Sequence, residues 1–157
     1  MRKLSFEQMT AETIVSFIDD IPAAKQLKDI VKEHKGVVYA LKDGEKYLAA
    51  SAMIFEMNTD MLTVAMHKLY LSGIFVIEDA DHGIDGMMLE YTADKAKTLG
   101  YDLITVQVST DDVRSIKFYS SMGFDKIVKA NITGKYLILQ RDLNIKLTCC
   151  GFTQIGG

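Results

Sequence analysis

The sequence predicts a mixed α/β fold in one domain, with a central sheet covered by helices, and three observations carry that prediction. The chain has 157 residues, 48% of them hydrophobic and 25% charged, enough for a single sizeable core and short for two. From Val37 onward, apolar extended runs follow one another across turn residues, V-V-Y-A-L and K-Y-L-A-A-S-A-M-I-F-E flanking Asp43-Gly44. Beyond Val76 the pattern changes to helix, strand, helix, which calls for a crossover connection between parallel strands.

The elements follow in order. Leu4 to Met9 suits a short edge strand. Thr10 is placed to cap a helix through about Ile21, with Ile14, Phe17, Ile18 and Ile21 at helical spacing and Pro22 as its stop. A second helix is expected from Ala23 to about His34, turning Leu27, Ile30 and Val31 inward, with Gly36 just beyond its end. The Asp43-Gly44 pair is a hairpin signal, because both residues tolerate the positive φ of a tight turn. Asn58 to Asp60 reads as the next turn, and a third extended run from about Leu62 to Val76 carries His67, Tyr70 and Gly73. A helix then runs from Ile84 or Asp85 to Leu99, with Leu89, Ala93, Ala96 and Leu99 on one face and Gly100 after it. The strand Y-D-L-I-T-V-Q-V follows, then a short helix capped by Asp111 or Asp112 and closed by Gly123. Lys126 to Ala130 and Lys135 to Gln140 form a last hairpin about Thr133-Gly134. Residues 143–157 are a tail whose apolar part, Leu147 to Ile155, is suited to pack on its own sheet or on the edge of a second subunit.

Charge and composition exclude several functions. The net charge is -3 and the basic residues are dispersed, which predicts no nucleic-acid face and no polybasic membrane segment. No apolar run approaches the roughly 20 residues that cross a bilayer, and the N-terminus lacks the apolar core of a secretory signal, so a cytoplasmic protein is expected. The two cysteines, Cys149 and Cys150, are sequence neighbours, a poor arrangement for a disulfide, and no ligand spacing predicts a metal.

The stretch Ile74 to Leu89 draws the chemistry together. There an extended run breaks into D-A-D-H-G-I-D-G and opens a helix, whose first N–H groups lack partners and whose end carries about half a positive charge. An anion such as a phosphate can sit at such an end, and an ordinary strand-to-helix turn is the other reading.

The order β-α-α-β-β-β-α-β-α-β-β, with D-x-x-S-x-x-F-Y-x-x-M-G-F from Asp112 to Phe124, resembles the GNAT superfamily of acyl-CoA-dependent N-acyltransferases over about residues 4 to 142. The resemblance implies a GNAT-like mixed central sheet with helices on both faces. It divides the chain into an acyltransferase domain, 1–142, and the tail 143–157. The family's pyrophosphate loop, Q/R-x-x-G-x-G/A, is matched in spacing: Asp81 falls on its Arg or Gln, Ile84 on its first Gly and Gly86 on its last. His82, Gly83 and Asp85 fill the rest. Asp81 sets a negative charge near a pyrophosphate, Ile84 lacks the backbone freedom of glycine, and Gly83 is placed to serve the turn instead.

By the same resemblance, the backbone of Ile74, Phe75 and Val76 pairs with the pantetheine arm, and Asp112 and Ser115 lie toward the cofactor, with helix capping as the other role of Asp112. Tyr119 matches the general acid for the departing CoA thiolate. A phenol of pKa about 10 can protonate a thiolate whose thiol has pKa about 8.5 when the two are hydrogen-bonded. Its other reading is packing of helix on sheet. The amine acceptor also needs a base. Glu78 is taken for that role, with Glu56 and His67 as alternatives, and Met53, Met57, Met61 and Met66 lie in the same strand region. The implied activity is acetyl transfer from acetyl-CoA, as co-substrate and with no metal, to an amine on a small molecule or a protein. The alternative is a binding or regulatory module of the same fold without catalysis, and the tail leaves a homodimer open.

Overall fold

The computed structural model describes residues 3–17, 19–55, 68–130, 134–148 and 151–154. The class is mixed α/β. The chain divides into two compact units, residues 1–55 with 71–92, and residues 56–70 with 93–157.

In the first unit the strands β1 (Leu4–Gln8), β2 (Gly36–Asp43), β3 (Lys46–Ile54) and β4 (Lys68–Val76) follow in that order, β4 entering the unit at Leu71. β1 and β2 pair antiparallel, as do β2 and β3, with Tyr39 opposite Ser51 and Asp43 opposite Lys46. The turn is therefore Gly44-Glu45, one residue later than the sequence suggests. Gly44 takes the positive φ, and Asp43 instead accepts a hydrogen bond from the Lys3 N–H.

Both faces of this sheet are covered. On one, Tyr91 of α2 (Ile84–Thr98) stacks on Phe6 with ring centroids 4.0 Å apart and meets Tyr39 edge-on, while Thr92 meets Ser51 through a 2.6 Å hydroxyl pair. On the other, Phe17 lies against Tyr47, whose hydroxyl donates to Glu7 beside the Glu7–Lys42 ion pair. Val38, Ala40, Ala49 and Ala50, fully buried between these layers, are small enough to let both approach.

The helix expected over Thr10 to Ile21 is corrected: the chain makes turns and a short 3-10 segment, Ile14–Ser16. Thr10 and Thr13 accept each other's backbone N–H through their hydroxyls, at 2.8 and 3.2 Å, a reciprocal cap that starts one turn, with the Ile14 N–H on the Thr10 carbonyl. The chain then tightens to bonds three residues apart and leaves the helix where Phe17 turns extended, at ψ 134. The β-branched run Thr13, Ile14, Val15 weighs against continuing as an α-helix. Ile14, Phe17 and Ile21 are buried all the same, so the apolar spacing reports a packed face without an α-helix. The second expected helix is present as α1 (Ala24–Lys32), with Leu27, Ile30 and Val31 buried.

In the second unit the strands run β5 (Leu103–Ser109), β7 (Tyr136–Asp142), β6 (Lys126–Ala130), all antiparallel, with a register shift between Ile127 and Lys129. α3 (Val113–Ser121) is tied to β7 where an Arg141 guanidinium N–H donates to the Met122 carbonyl. Residues 93–98 of α2 bury Ala93 and Ala96, but Leu99 is 51% exposed, because the helix ends at Thr98 and Gly100 reverses the chain with φ +95. The tail forms β8 (Ile145–Thr148) and β9 (Gly151–Gln154), which pair with each other in a separate two-stranded sheet. The Asn58 to Asp60 turn, Thr133 and both cysteines lie outside the described residues.

Candidate active site

The strand-to-helix junction of the first unit is built from β4 outward. Ile74, Phe75 and Val76 are each partly exposed near the end of the strand. The ring of Phe75 folds over Gly73 and fills the place a side chain there would take, with a ring carbon 2.9 Å from the position of a Cβ. Ile77 is buried, and its N–H donates to the Leu48 carbonyl, extending the pairing with β3 one residue past β4.

Glu78 and Asp79 then emerge into solvent. They wall a cleft of about 540 Å³ together with Asp20, Lys46, Tyr47 and Ile77, and Lys46 lies 3.8 Å from Asp79. Three carboxylates face one ammonium there. Asp20, Lys46 and Tyr47 carry no sequence signal for this role, since only the fold brings them beside Glu78.

The turn into α2 departs from the sequence argument in an instructive way. Ile84, expected to hinder phosphate, is 2% exposed with its side chain in the core, in phase with Met88, Leu89, Thr92 and Ala93. Its side chain packs inward, and the backbone freedom that the sequence asks of this position is supplied one residue earlier. Gly83 takes the positive φ, +94, and a Cβ built on it meets nothing within 4 Å, so the glycine serves the backbone conformation rather than a tight fit. The Ile84 N–H reaches the Asp81 carbonyl at 3.3 Å and the Met87 N–H reaches the Gly83 carbonyl at 3.1 Å. The N–H of Gly86 is taken by Oδ1 of Asp85 at 2.7 Å. Asp81, His82, Gly83 and Asp85 are exposed, and Gly86 is partly so. Residue spacing could not reveal the Asp85 bond, because it depends on a side-chain rotamer and not on helical phase.

In the second unit, α3 opens on Asp112. Its Oδ1 accepts the Ser115 N–H at 3.0 Å and its Oδ2 accepts the Ser115 hydroxyl at 2.7 Å, so the carboxylate is an N-cap. These two bonds from Ser115, with Arg114 nearby, hold the Asp112 carboxyl below its usual range. Asp112 and Ser115 are thus engaged with each other. Tyr119 is 6% exposed, its ring edge-on to Phe118 and Phe124 at 5.1 and 5.4 Å, and its carbonyl accepts the N–H groups of Met122 and Phe124, which close the helix. Met53 is wholly buried in β3. Glu56, Met57, Met61, Met66 and His67 fall outside the described residues.

The acetyltransferase (GNAT) family profile matches residues 4–124. The chain belongs to this family. As a GNAT acetyltransferase it uses acetyl-CoA as the acetyl donor. Among solved structures it is similar to a GNAT acetyltransferase from Elizabethkingia anophelis with acetyl-CoA bound, at 16% identity and TM-score 0.68 over 88% of this chain and 97% of the other. It is similar to the ribosomal-protein-S18-alanine N-acetyltransferase of Escherichia coli, at 15% identity and TM-score 0.67 over 90% and 94%. A third likeness is to a Bacillus subtilis acetyltransferase in complex with CoA, at 16% identity and TM-score 0.58 over 90% and 99%. At these identities the likeness is one of fold. A search of curated proteins gave no significant match. Among the described residues, no group of three or more metal-ligating side chains occurs, and no helix is long and apolar enough to cross a membrane.

Proposed function

We propose that this GNAT acetyltransferase moves the acetyl group by direct attack of an amine on the thioester carbonyl of acetyl-CoA, within a catalytic domain of residues 1–142. The observation that carries the reading is the junction at residues 81–86, where the side chain of Ile84 turns inward and the open backbone of Gly83 turns outward at the start of a fifteen-residue helix. That end suits the pyrophosphate of CoA, held by the backbone from Asp81 through His82, Gly83, Ile84 and Asp85 to Gly86. The backbone of Ile74, Phe75 and Val76 takes the pantetheine arm. Asp112 and Ser115 act by fixing the start of the helix that carries Tyr119.

In the reaction the amine nitrogen forms a bond to the carbonyl carbon, and the carbon–sulfur bond breaks. Glu78 takes the proton that the ammonium loses before it attacks; Tyr119 gives its phenolic proton to the departing thiolate, and the second proton, lost from nitrogen as the amide forms, restores the phenol. The cleft beside Glu78, with three carboxylates against Lys46, suits an acceptor that arrives as an ammonium ion, on a small molecule or a protein. We assign the protein to the cytoplasm, and the β8–β9 hairpin to a contact between two copies of the chain. Truncation after Leu143 then converts dimer to monomer by mass in solution, and a native chain that is already monomeric overturns the assignment.

Titration with acetyl-CoA tests the main reading, and absence of heat and of thermal shift at millimolar ligand overturns it. Tyr119→Phe is expected to lower kcat about a hundredfold, the usual scale of a general acid, and to leave the acetyl-CoA Kd unchanged. Unchanged turnover reduces Tyr119 to packing. Glu78→Gln is expected to lower kcat about a hundredfold with the acetyl-CoA Kd unchanged, and unchanged turnover excludes Glu78 as the base.

A further inference from the structure

We propose that Asp85 is an internal anion that occupies the phosphate-binding end of α2, so that the CoA pyrophosphate binds only by displacing its carboxylate. The inference rests on the acetyl-CoA reading above and adds a residue that sets donor affinity. Oδ1 of Asp85 accepts the Gly86 N–H at 2.7 Å, one of the first N–H groups of the fifteen-residue helix and the one on the last glycine of the loop. A carboxylate there supplies the negative charge that the helix end favours, and it uses a donor that a phosphate oxygen would otherwise take.

Asp85 is exposed, so its side chain can turn out into water without disturbing the core, while Ile84 beside it keeps the helix seated. Displacement leaves an exposed carboxylate near two phosphates. Both the lost hydrogen bond and that repulsion oppose CoA binding. They act equally on ground and transition states, so Asp85 raises the KM for acetyl-CoA and leaves kcat alone.

The test uses the full chain, as native protein, Asp85→Asn and Asp85→Ala, each titrated with CoA and separately with inorganic pyrophosphate. Asn keeps the size and an acceptor oxygen but removes the charge, and Ala removes all three. Asp85→Ala is expected to bind CoA and pyrophosphate about tenfold more tightly than native, the scale of one charge-assisted hydrogen bond, and Asp85→Asn, which loses the charge and keeps an acceptor, to fall between the two. Circular dichroism of each variant confirms that α2 remains folded. CoA bound by native and variants with equal affinity overturns the Asp85 inference and leaves the acetyl-CoA reading standing. CoA bound by none of the three overturns the acetyl-CoA reading. The pyrophosphate titrations then decide the Asp85 inference by themselves, with equal or weaker binding by the variants counting against it.

Discussion

α2 and α3 both begin beside an aspartate, and the two starts are built differently. At α3 the aspartate stands outside the helix at the N-cap, Asp112, and binds both the N–H and the hydroxyl of Ser115. At α2 the residue before the helix is Gly83, which has no side chain to offer, and the aspartate lies one turn position inside, at Asp85, where it reaches only the next N–H. The first start is fixed by a side chain outside the helix; the second is closed from within the turn, the Ile84 N–H on the Asp81 carbonyl and the Gly86 N–H on the Asp85 carboxylate. A helix N-terminus is therefore no anion site as such. What differs is what a ligand must displace: at α3 a capping carboxylate anchored at two points, at α2 an exposed carboxylate holding a single N–H.

Breaking the turn into α2 is expected to have the largest effect. Gly83→Val forces a β-branched residue to φ near +94 although there is free space above it, a strain of about 2 kcal/mol. Relieving that strain moves the turn, and the CoA Kd is expected to rise at least about tenfold. An unchanged Kd by calorimetry would show that the turn does not hold the donor. Asp112→Ala sharpens the contrast from the other side: a fall of a few degrees in Tm with the CoA Kd unchanged. A weaker Kd at native-like stability would instead make Asp112 a direct cofactor contact. Ser115→Ala keeps the backbone bond and loses only the hydroxyl bond, so its fall in Tm should be the smaller of the two.

The smallest effect is in the acid limb of stability. The Asp112 carboxyl titrates lower in the folded chain than unfolded, so its contribution is fully present above the unfolded carboxylate range near pH 4 and is lost as pH falls through the lower folded value. Denaturant unfolding from pH 6 to pH 3 should therefore show a shallower loss for Asp112→Ala than for the native chain. Parallel curves would remove the ionised cap from the comparison.

Much of the fold was legible because it rests on local backbone chemistry. Gly100 and Gly123 end helices with positive φ where the sequence places stops, and the Asp112 cap lies where a short polar side chain precedes an amphipathic run. Thr10 to Ile21 misled because apolar spacing reports which side chains are buried, whereas the backbone is capped as for a helix at Thr10 and Thr13 and then turns extended at Phe17. The family resemblance located the candidate site, but the meaning of its altered residues was not legible. Whether Ile84 obstructs depends on the rotational setting of α2, and whether an aspartate interferes depends on where its carboxylate turns. By those measures the residue to suspect is Asp85.

That rotational setting has a polar anchor with a direction. Thr92 has one hydroxyl proton, and it goes to the Met88 carbonyl at 2.7 Å. In the 2.6 Å pair beneath α2, Ser51 must therefore be the donor and Thr92 the acceptor. The proton chain runs one way, from strand to helix, and ends on a carbonyl. Loss of the serine empties one lone pair. Loss of the threonine hydroxyl strands a buried proton, so two chemically similar deletions in one hydrogen bond are unequal, and the helix side carries the greater burden.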